Sequence, residues 1–469
     1  MTGCAPRDRG TRSPGLLVAV LVFLAVESTA VASLGTPLLP TIQRDDHVSL
    51  AASQWALTVT LLVGAVATPV MGRLGDTRLR RHTAVGGVAL MLAGCVLSAL
   101  PGGFAAFLVG RALQGVGFGL VPLAIAVARD GLPSHRSGPA IALIGITTAA
   151  GVGLGYPLVG ILAQYLGLHA PFRFVAVVSA VALGAVAIAL PASPDRPVRV
   201  DLPGAALLGV GIVALLLVLA EGPRWGWISG PTLASAVSAA VLLGVWAAWE
   251  LRARHPLIDL RLLRRTPVLA ANLTAFLVAV GFYPMTSLVV RFVQTPPAAG
   301  YGFGAPVVIA GLMLTPFSLA SFAASRVASR TARSRSPEVV VAAGCVVLLA
   351  SVVLFLLARG TYWEIVVTMA LSGFGVGCVY AVNPLQITSG VPAGETGSAI
   401  SFNQLTRTVA YSLASALSAT VLVLATPAGG QEPANAGYGA AALVCIAVLT
   451  AALGSAVLFT VVMGRRAVR

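Results

Sequence analysis

The chain has 469 residues, 57% of them hydrophobic and only 10% charged, with 30 basic side chains against 15 acidic ones. An ordinary soluble domain is roughly 25% charged, so water is not the main solvent of this surface. Every basic residue is Arg, and the Arg residues sit between apolar runs with no basic patch on a soluble face, which excludes a nucleic-acid-binding module despite the net charge of +15.

A helix crossing the ~30 Å apolar core of a bilayer needs about 20 mainly apolar residues, because its backbone polar groups must be bonded internally. The first run follows Arg7, Arg9 and Arg12 in the manner of a signal peptide. It continues to about Leu34, carries Glu27 and lacks a convincing cleavage site, so it reads as the first span. The apolar runs predict helices near 15–36, 53–72, 82–100, 104–128, 138–163, 172–190, 203–220, 231–250, 268–291, 305–326, 338–358, 363–386, 397–424 and 438–463. The fold class is therefore an all-α polytopic membrane protein with fourteen transmembrane helices.

The Arg residues test this count. Alternating the loops places 23 of them on one side and five on the other (Arg44, Arg173, Arg224, Arg291, Arg359), with Arg111 and Arg407 inside helices. Cytoplasmic loops carry the excess of basic residues, so both termini are expected in the cytoplasm of a multi-pass cell-membrane protein. A weak internal echo, Gly72 to Thr77 against Ser325 to Arg330, reads as a pair of small-Arg-aliphatic-small turns after the second and tenth helices. The resulting organisation is a tail over 1–14, a six-helix bundle over 15–191, an inserted helix pair with its flanking loops over 192–267, a second six-helix bundle over 268–463 and a tail over 464–469.

The five Cys residues are scattered, four of them in apolar runs, with no spacing for a disulfide framework or a metal site. The five His residues fall in or beside loops, so an intramembrane enzyme has no cluster to work with, and no enzymatic activity is expected. Without Lys the phosphate-binding pattern G-x-x-x-x-G-K-[ST] is impossible, which leaves no ATP drive in this chain.

Three segments resemble the major facilitator superfamily. Gly72-Arg73-Leu74-Gly75-Asp76-Thr77-Arg78-Leu79-Arg80-Arg81 is similar to its loop signature, departing from it at Thr77 and Leu79. Leu108 to Gly119 is similar to the fourth-helix motif around Arg111, and Gly151-Val152-Gly153-Leu154-Gly155-Tyr156-Pro157-Leu158-Val159-Gly160 to the fifth-helix antiporter motif. Glu221 to Trp227, closing the first inserted helix, resembles the fourteen-helix drug:proton antiporter branch. The resemblance implies two six-helix bundles, with the inserted pair between them in sequence, and one central cavity lined by helices 1 and 4. It further implies proton-coupled export of small hydrophobic, drug-like compounds by a monomer, with no cofactor beyond the proton gradient.

Ionisable groups at mid-bilayer are functional candidates because each costs at least ~2.5 kcal/mol to insert. Glu27 lies ~18 Å and Arg111 ~20 Å from the Arg-rich edge, hence at one depth, and Arg407 lies ~15 Å deep. Glu27 and Arg111 form the candidate proton-coupling pair, if hydration and pairing change as the cavity alternates; a static pair that locks helices is the other reading. Gly72, Arg73, Asp76, Arg80 and Arg81 form the candidate gate, in which Asp76 holds one conformation through Arg side chains or a helix N-terminus. Gly151, Gly155, Pro157 and Gly160 are candidates for close packing or a hinge. Phe23, Tyr156, Asn403 and Arg407 are cavity candidates, Arg407 either attracting an anionic group or bonding backbone carbonyls. Aromatics such as Phe282, Tyr283, Tyr380 and Tyr411 form either a pocket or plain packing, and Trp225, Trp227 and Trp363 suit the interfacial belt. Export of a lipid or lipid conjugate, and a membrane sensor that transports nothing, remain as competing functions.

Overall fold

The computed structural model describes residues 14–34, 38, 42, 47–48, 50–191, 193, 201–334, 336–427 and 432–467. Among the described residues there is no strand. The chain order is α1 (Pro14–Ser33), α2 (Leu50–Gly75), α3 (Arg80–Ala99), α4 (Gly103–Gly131, tightened to a 3-10 turn over Val116–Gly119), α5 (Ser134–Leu166), α6 (Ala170–Ala189), α7 (Leu202–Trp225) and α8 (Gly230–Glu250). It continues with α9 (Thr266–Gln294), α10 (Val307–Leu312, resuming as Thr315–Ser334), α11 (Pro337–Leu357), α12 (Tyr362–Gly390), α13 (Thr396–Leu424) and α14 (Asn435–Ala467). Thirteen of these helices are long and apolar enough to cross a membrane, and α5, with 33 residues, is the fourteenth. The fold class read from the sequence is the fold observed.

Local chemistry sets the helix ends where the apolar pattern alone does not. Asp201 and Ser229 cap α7 and α8 by accepting from Gly204 N and Thr232 N, and Thr361 and Glu364 make a reciprocal capping box on α12. One expectation fails here. Ser325 to Arg330 is not a turn but part of α10, which runs on to Ser334, and in the segment matched to it Gly72 to Gly75 are likewise the end of α2. The Arg residues that mimic a loop extend the helix past the apolar layer, and Arg326 folds its guanidinium over the Phe322 ring at 4.3 Å.

Two large apolar cores result. One joins α1, α3, α4, α5 and α6 through side chains such as Leu21, Leu24, Met91, Leu120 and Phe172. The other joins α9, α11, α12 and α14 through Met285, Leu348, Phe355, Tyr438 and Leu449. The seam between them is closed where α2 packs on α13 and where α5 packs on α10 and α12. Helix α7 lies over the first of these contacts, with Leu208, Ile212 and Leu216 clustered with Ala65 of α2 and Leu405 of α13. Outward-facing Val177, Val181 and Ile188 of α6 and Val237 and Val241 of α8 are exposed, as lipid-facing side chains are, and Trp225, Trp227 and Trp363 are exposed near helix ends.

Candidate functional site

Glu27 is fully buried on α1, and among the described residues neither of its carboxylate oxygens has a hydrogen-bond partner. Its neighbour Ser28 donates to the Gly117 carbonyl of α4 at 2.7 Å, which fixes the face of α1 turned to that helix. The Ser179 hydroxyl of α6 faces the carboxylate without reaching hydrogen-bond geometry. Arg111, also buried, is within electrostatic reach of the same thiol, Cys95, as Glu27.

The two do not form an ion pair in this conformation. Arg111 Nε donates to the Ala56 carbonyl of α2 at 3.0 Å and Nη1 to Gln114 Oε1 at 2.5 Å, while the guanidinium lies 6.0 Å from the Phe172 ring centroid. Gln114 in turn donates to Ser98 Oγ of α3 at 3.2 Å, and Thr60 of α2 donates to the Arg111 carbonyl at 3.0 Å. Glycines permit this closeness: a Cβ at Gly115 would meet the Thr60 carbonyl, and one at Gly94 would lie 2.5 Å from the Gly110 carbonyl. Gln114, Ser98 and Thr60 escape a reading of the sequence because neutral polar residues in apolar runs give no signal until their partners are known.

The loop after α2 reaches across the seam. Asp76 accepts from the backbone N–H groups of Gly397 at 2.9 Å and Ser398 at 3.0 Å, and from the Ser398 hydroxyl at 3.3 Å, at the N-terminus of α13. That is where unpaired N–H groups and the helix dipole favour an acceptor. Burial pushes the Asp76 carboxyl up from 3.8 to about 7, while the two N–H donors and Arg80 pull it down. Arg73 pairs with Glu395 at 2.7 Å. A Cβ on Gly72 would run into the Ser401 hydroxyl and lie 2.7 Å from the Gly397 carbonyl, so the glycine is what lets α2 touch α13.

Not every member of the expected gate crosses the seam. Arg80 binds Asp130 at 2.7 Å and the Gly75 carbonyl at 2.5 Å, and Arg81 donates to the Ala187 carbonyl at 2.6 Å; both stay among α2, α3, α4 and α6. Arg129, at the end of α4, does cross. It donates to the Val391 carbonyl at 2.9 Å and to the Thr396 hydroxyl. Its position among the loop Arg residues gave no reason to single it out.

Of the fifth-helix candidates, Gly155 is buried and Gly160 faces open space, while Gly151, Tyr156 and Pro157 lie outside the described side chains. Among the cavity candidates, Phe23 packs partly buried on the first core. Asn403 donates to Asn272 Oδ1 of α9 at 3.1 Å. Arg407 lies over the Tyr380 ring of α12 at 4.6 Å and donates to Gln404 Oε1. Cys95, Cys345, Cys378 and Cys445 are free and buried, and no metal-binding cluster occurs among the described residues.

Comparison with known proteins matches residues 17–415 to the Major Facilitator Superfamily. The chain is 34% identical to the tetracenomycin C resistance and export protein of Streptomyces glaucescens over 58% of its length and 51% of the relative's. It is 29% identical to the multidrug resistance protein Stp of Mycobacterium tuberculosis over 82% of its length and 71% of that protein. The match to the first of these relatives thus spans about half of the relative's length. Among solved structures, the human organic anion transporter MFSD10 superposes with a TM-score of 0.67 at 17% identity, over 95% of this chain and 100% of that one. A peptide transporter POT superposes with a TM-score of 0.63 at 18% identity, over 94% of each chain.

Proposed function

This chain belongs to the Major Facilitator Superfamily of membrane transporters, and from that premise we propose that it exports small hydrophobic compounds in exchange for protons. The observation that carries the reading is Glu27, a carboxylate shut away from water in mid-helix with no hydrogen-bond partner for either oxygen among the described residues. Such a group is costly to keep unless it serves the protein. In the proposed cycle Glu27 holds a proton while α1 is sealed and releases it when rearrangement opens its surroundings to water. Arg111 sets the local field but stays bound to α2 and Gln114. The described conformation is closed on the Arg-rich side through Asp76, Arg73 and Arg129. That side is taken as the cytoplasm of the cell membrane, with both termini on it. Opening it would require those contacts to part together, which is the alternation between the two sets of six helices that flank the inserted pair α7 and α8. Export of drug-like cargo is supported by the relatives, one an export protein and one a multidrug resistance protein.

The test uses the purified chain in proteoliposomes that contain a pH-sensitive dye, under an imposed proton gradient. Lipophilic cations, neutral compounds and anions are added in turn. Substrate-dependent dissipation of the gradient is expected for the intact protein, and Glu27→Gln is expected to abolish it while the protein still reconstitutes as a monodisperse species. Robust coupled transport by Glu27→Gln would overturn the role of Glu27, and no dissipation by any compound with folded protein would overturn proton exchange.

A further inference from the structure

Arg407 is a cation inside the second set of helices with no anion to answer it. Among the described residues its one polar partner is Gln404, one turn back on α13, its Nε is buried without a hydrogen bond, and it forms no ion pair. The acidic residues between 268 and 463 all sit at helix ends: Glu338 and Glu364 in the first turns of α11 and α12, Glu395 just before α13 and Glu432 just before α14. A lone charge held within a membrane interior is costly, and a buried N–H left unbonded adds to that cost, so the site is incomplete as it stands.

Arg407 opens onto a continuous group of rings drawn from four helices. Tyr283 of α9 stacks on Tyr411 of α13 at 4.6 Å between centroids. Phe282 of α9 stacks on Phe317 of α10 at 5.9 Å and meets Tyr380 and Tyr411 edge-on at 6.2 and 6.1 Å. The Tyr411 hydroxyl donates to that of Tyr380 at 3.0 Å. Tyr283, Tyr411 and Arg407 keep partial exposure, whereas Phe282, Phe317 and Tyr380 are buried. The cluster lies on the seam, because a Cβ at Gly145 of α5 would lie 3.2 Å from the Tyr380 carbonyl.

Ring faces alone would favour a cationic guest. Here the face of Tyr380 is already taken by the guanidinium, so the charge standing beside the rings is positive. A second cation is repelled at this distance in a low-dielectric interior, and an acid is attracted and can take two parallel hydrogen bonds from the fork. We propose that Arg407 and the ring cluster of Tyr283, Tyr380 and Tyr411 form the cargo subsite, and that it selects flat aromatic compounds bearing an acidic group. This rests on the transport reading for the idea that the guest is cargo, but the two fail separately, since binding needs no proton gradient.

Equilibrium binding to the full-length chain in detergent, measured by titration calorimetry, tests it with three probes: anthraquinone-2-carboxylate, its uncharged primary amide and a trimethylammonium analogue. The carboxylate is expected to bind at least about tenfold more tightly than the amide, the size of one charge-assisted hydrogen bond. Arg407→Gln is expected to erase that difference, and Arg407→Lys to restore part of it. Equal binding of acid and amide by the intact protein, preference for the ammonium compound, or an acid preference that survives in Arg407→Gln would each overturn the proposal. Should Arg407→Gln not fold, Tyr411→Leu decides: it keeps the charge, so acid and amide must weaken by similar factors, and unchanged binding of both overturns the subsite. Anion binding without proton exchange in the vesicles would leave the subsite standing and remove the transport cycle.

Discussion

The buried polar groups within α1 to α6 and those along the seam are built on opposite plans. Among the described residues the side chains of Arg111, Gln114, Ser98 and Thr60 bond within α2, α3 and α4, and the Ser98 carbonyl adds His169 at the start of α6, so a rigid-body rotation of those helices as a set leaves every contact intact. Asp76, Arg73 and Arg129 bond instead to residues more than 250 positions away, at 391 to 398, and the same rotation breaks all of them at once. Charge alone does not separate the two groups, since each contains Arg, buried in the first and partly buried in the second. The path of the bonds does: one set is a frame, and the other is a latch.

The frame is the place to look for the largest effect. Arg111→Leu strands the buried Gln114 side-chain oxygen, takes one of two donors from the Ala56 carbonyl, which keeps the Thr60 hydroxyl at 3.0 Å, and leaves unfilled space besides. A loss of roughly 3 kcal/mol is expected, read as a lowered unfolding midpoint of the purified protein. Arg407→Leu, which forfeits only a contact one turn away and a ring face, should cost less than about 1 kcal/mol. Equal losses would erase the distinction between an anchored Arg and one left available.

The latch should respond to pH in a defined sense. Docked Asp76 titrates near 7 because of its burial, against 3.8 when exposed, with Arg80, Arg129 and Glu395 as the charged groups acting on it and Arg73 held by Glu395. Between those values the docked state holds a proton that the undocked state has lost, so acidification favours docking and a rise through 7 disfavours it. The ratio of closed to open molecules should be about tenfold higher at pH 6 than at pH 8, roughly 1.4 kcal/mol. Spin-label distances between the loop after α2 and the start of α13 would report this ratio. Asp76→Asn should flatten the dependence, and a slope that persists in that variant would place the titrating group elsewhere.

The same contrast explains what the sequence could disclose. Apolar runs and the one-sided Arg distribution yield the fourteen helices because each span is a local property. Whether Glu27 and Arg111 pair is not legible in the sequence, for a coupling pair or a static one, since depth along a helix says nothing about the direction a side chain faces. In the structure the Arg donors go to α2 and to Gln114. Gly72, Arg73 and Asp76 stand out as a motif, but the backbone N–H groups at 397 and 398 that bind Asp76 carry no side-chain signal, and Glu395, the partner of Arg73, lies 322 residues away with nothing in the sequence to join the two. The end of α10 is hidden in the sequence for a related reason: Arg326 and Arg330 look like loop, yet long cationic side chains let a helix continue beyond the apolar layer.

The smallest effect gives the finest test of the comparison, because Asn403 lies one turn from Arg407 on α13 and bonds to α9 rather than across the seam. Asn403→Ala removes the donor to Asn272 Oδ1, while Asn272 keeps its own bond to the Val268 carbonyl at 2.9 Å. Single interhelical hydrogen bonds within membranes average about 0.6 kcal/mol, so a loss of about that size is expected in unfolding measurements. Binding of an acidic aromatic probe should shift by no more than about twofold, since the Asn contributes packing between α9 and α13 and no charge. A loss as large as that for Arg111→Leu would mean that the second set of helices has an anchored polar frame of its own, and Arg407 would then have to be counted as part of it.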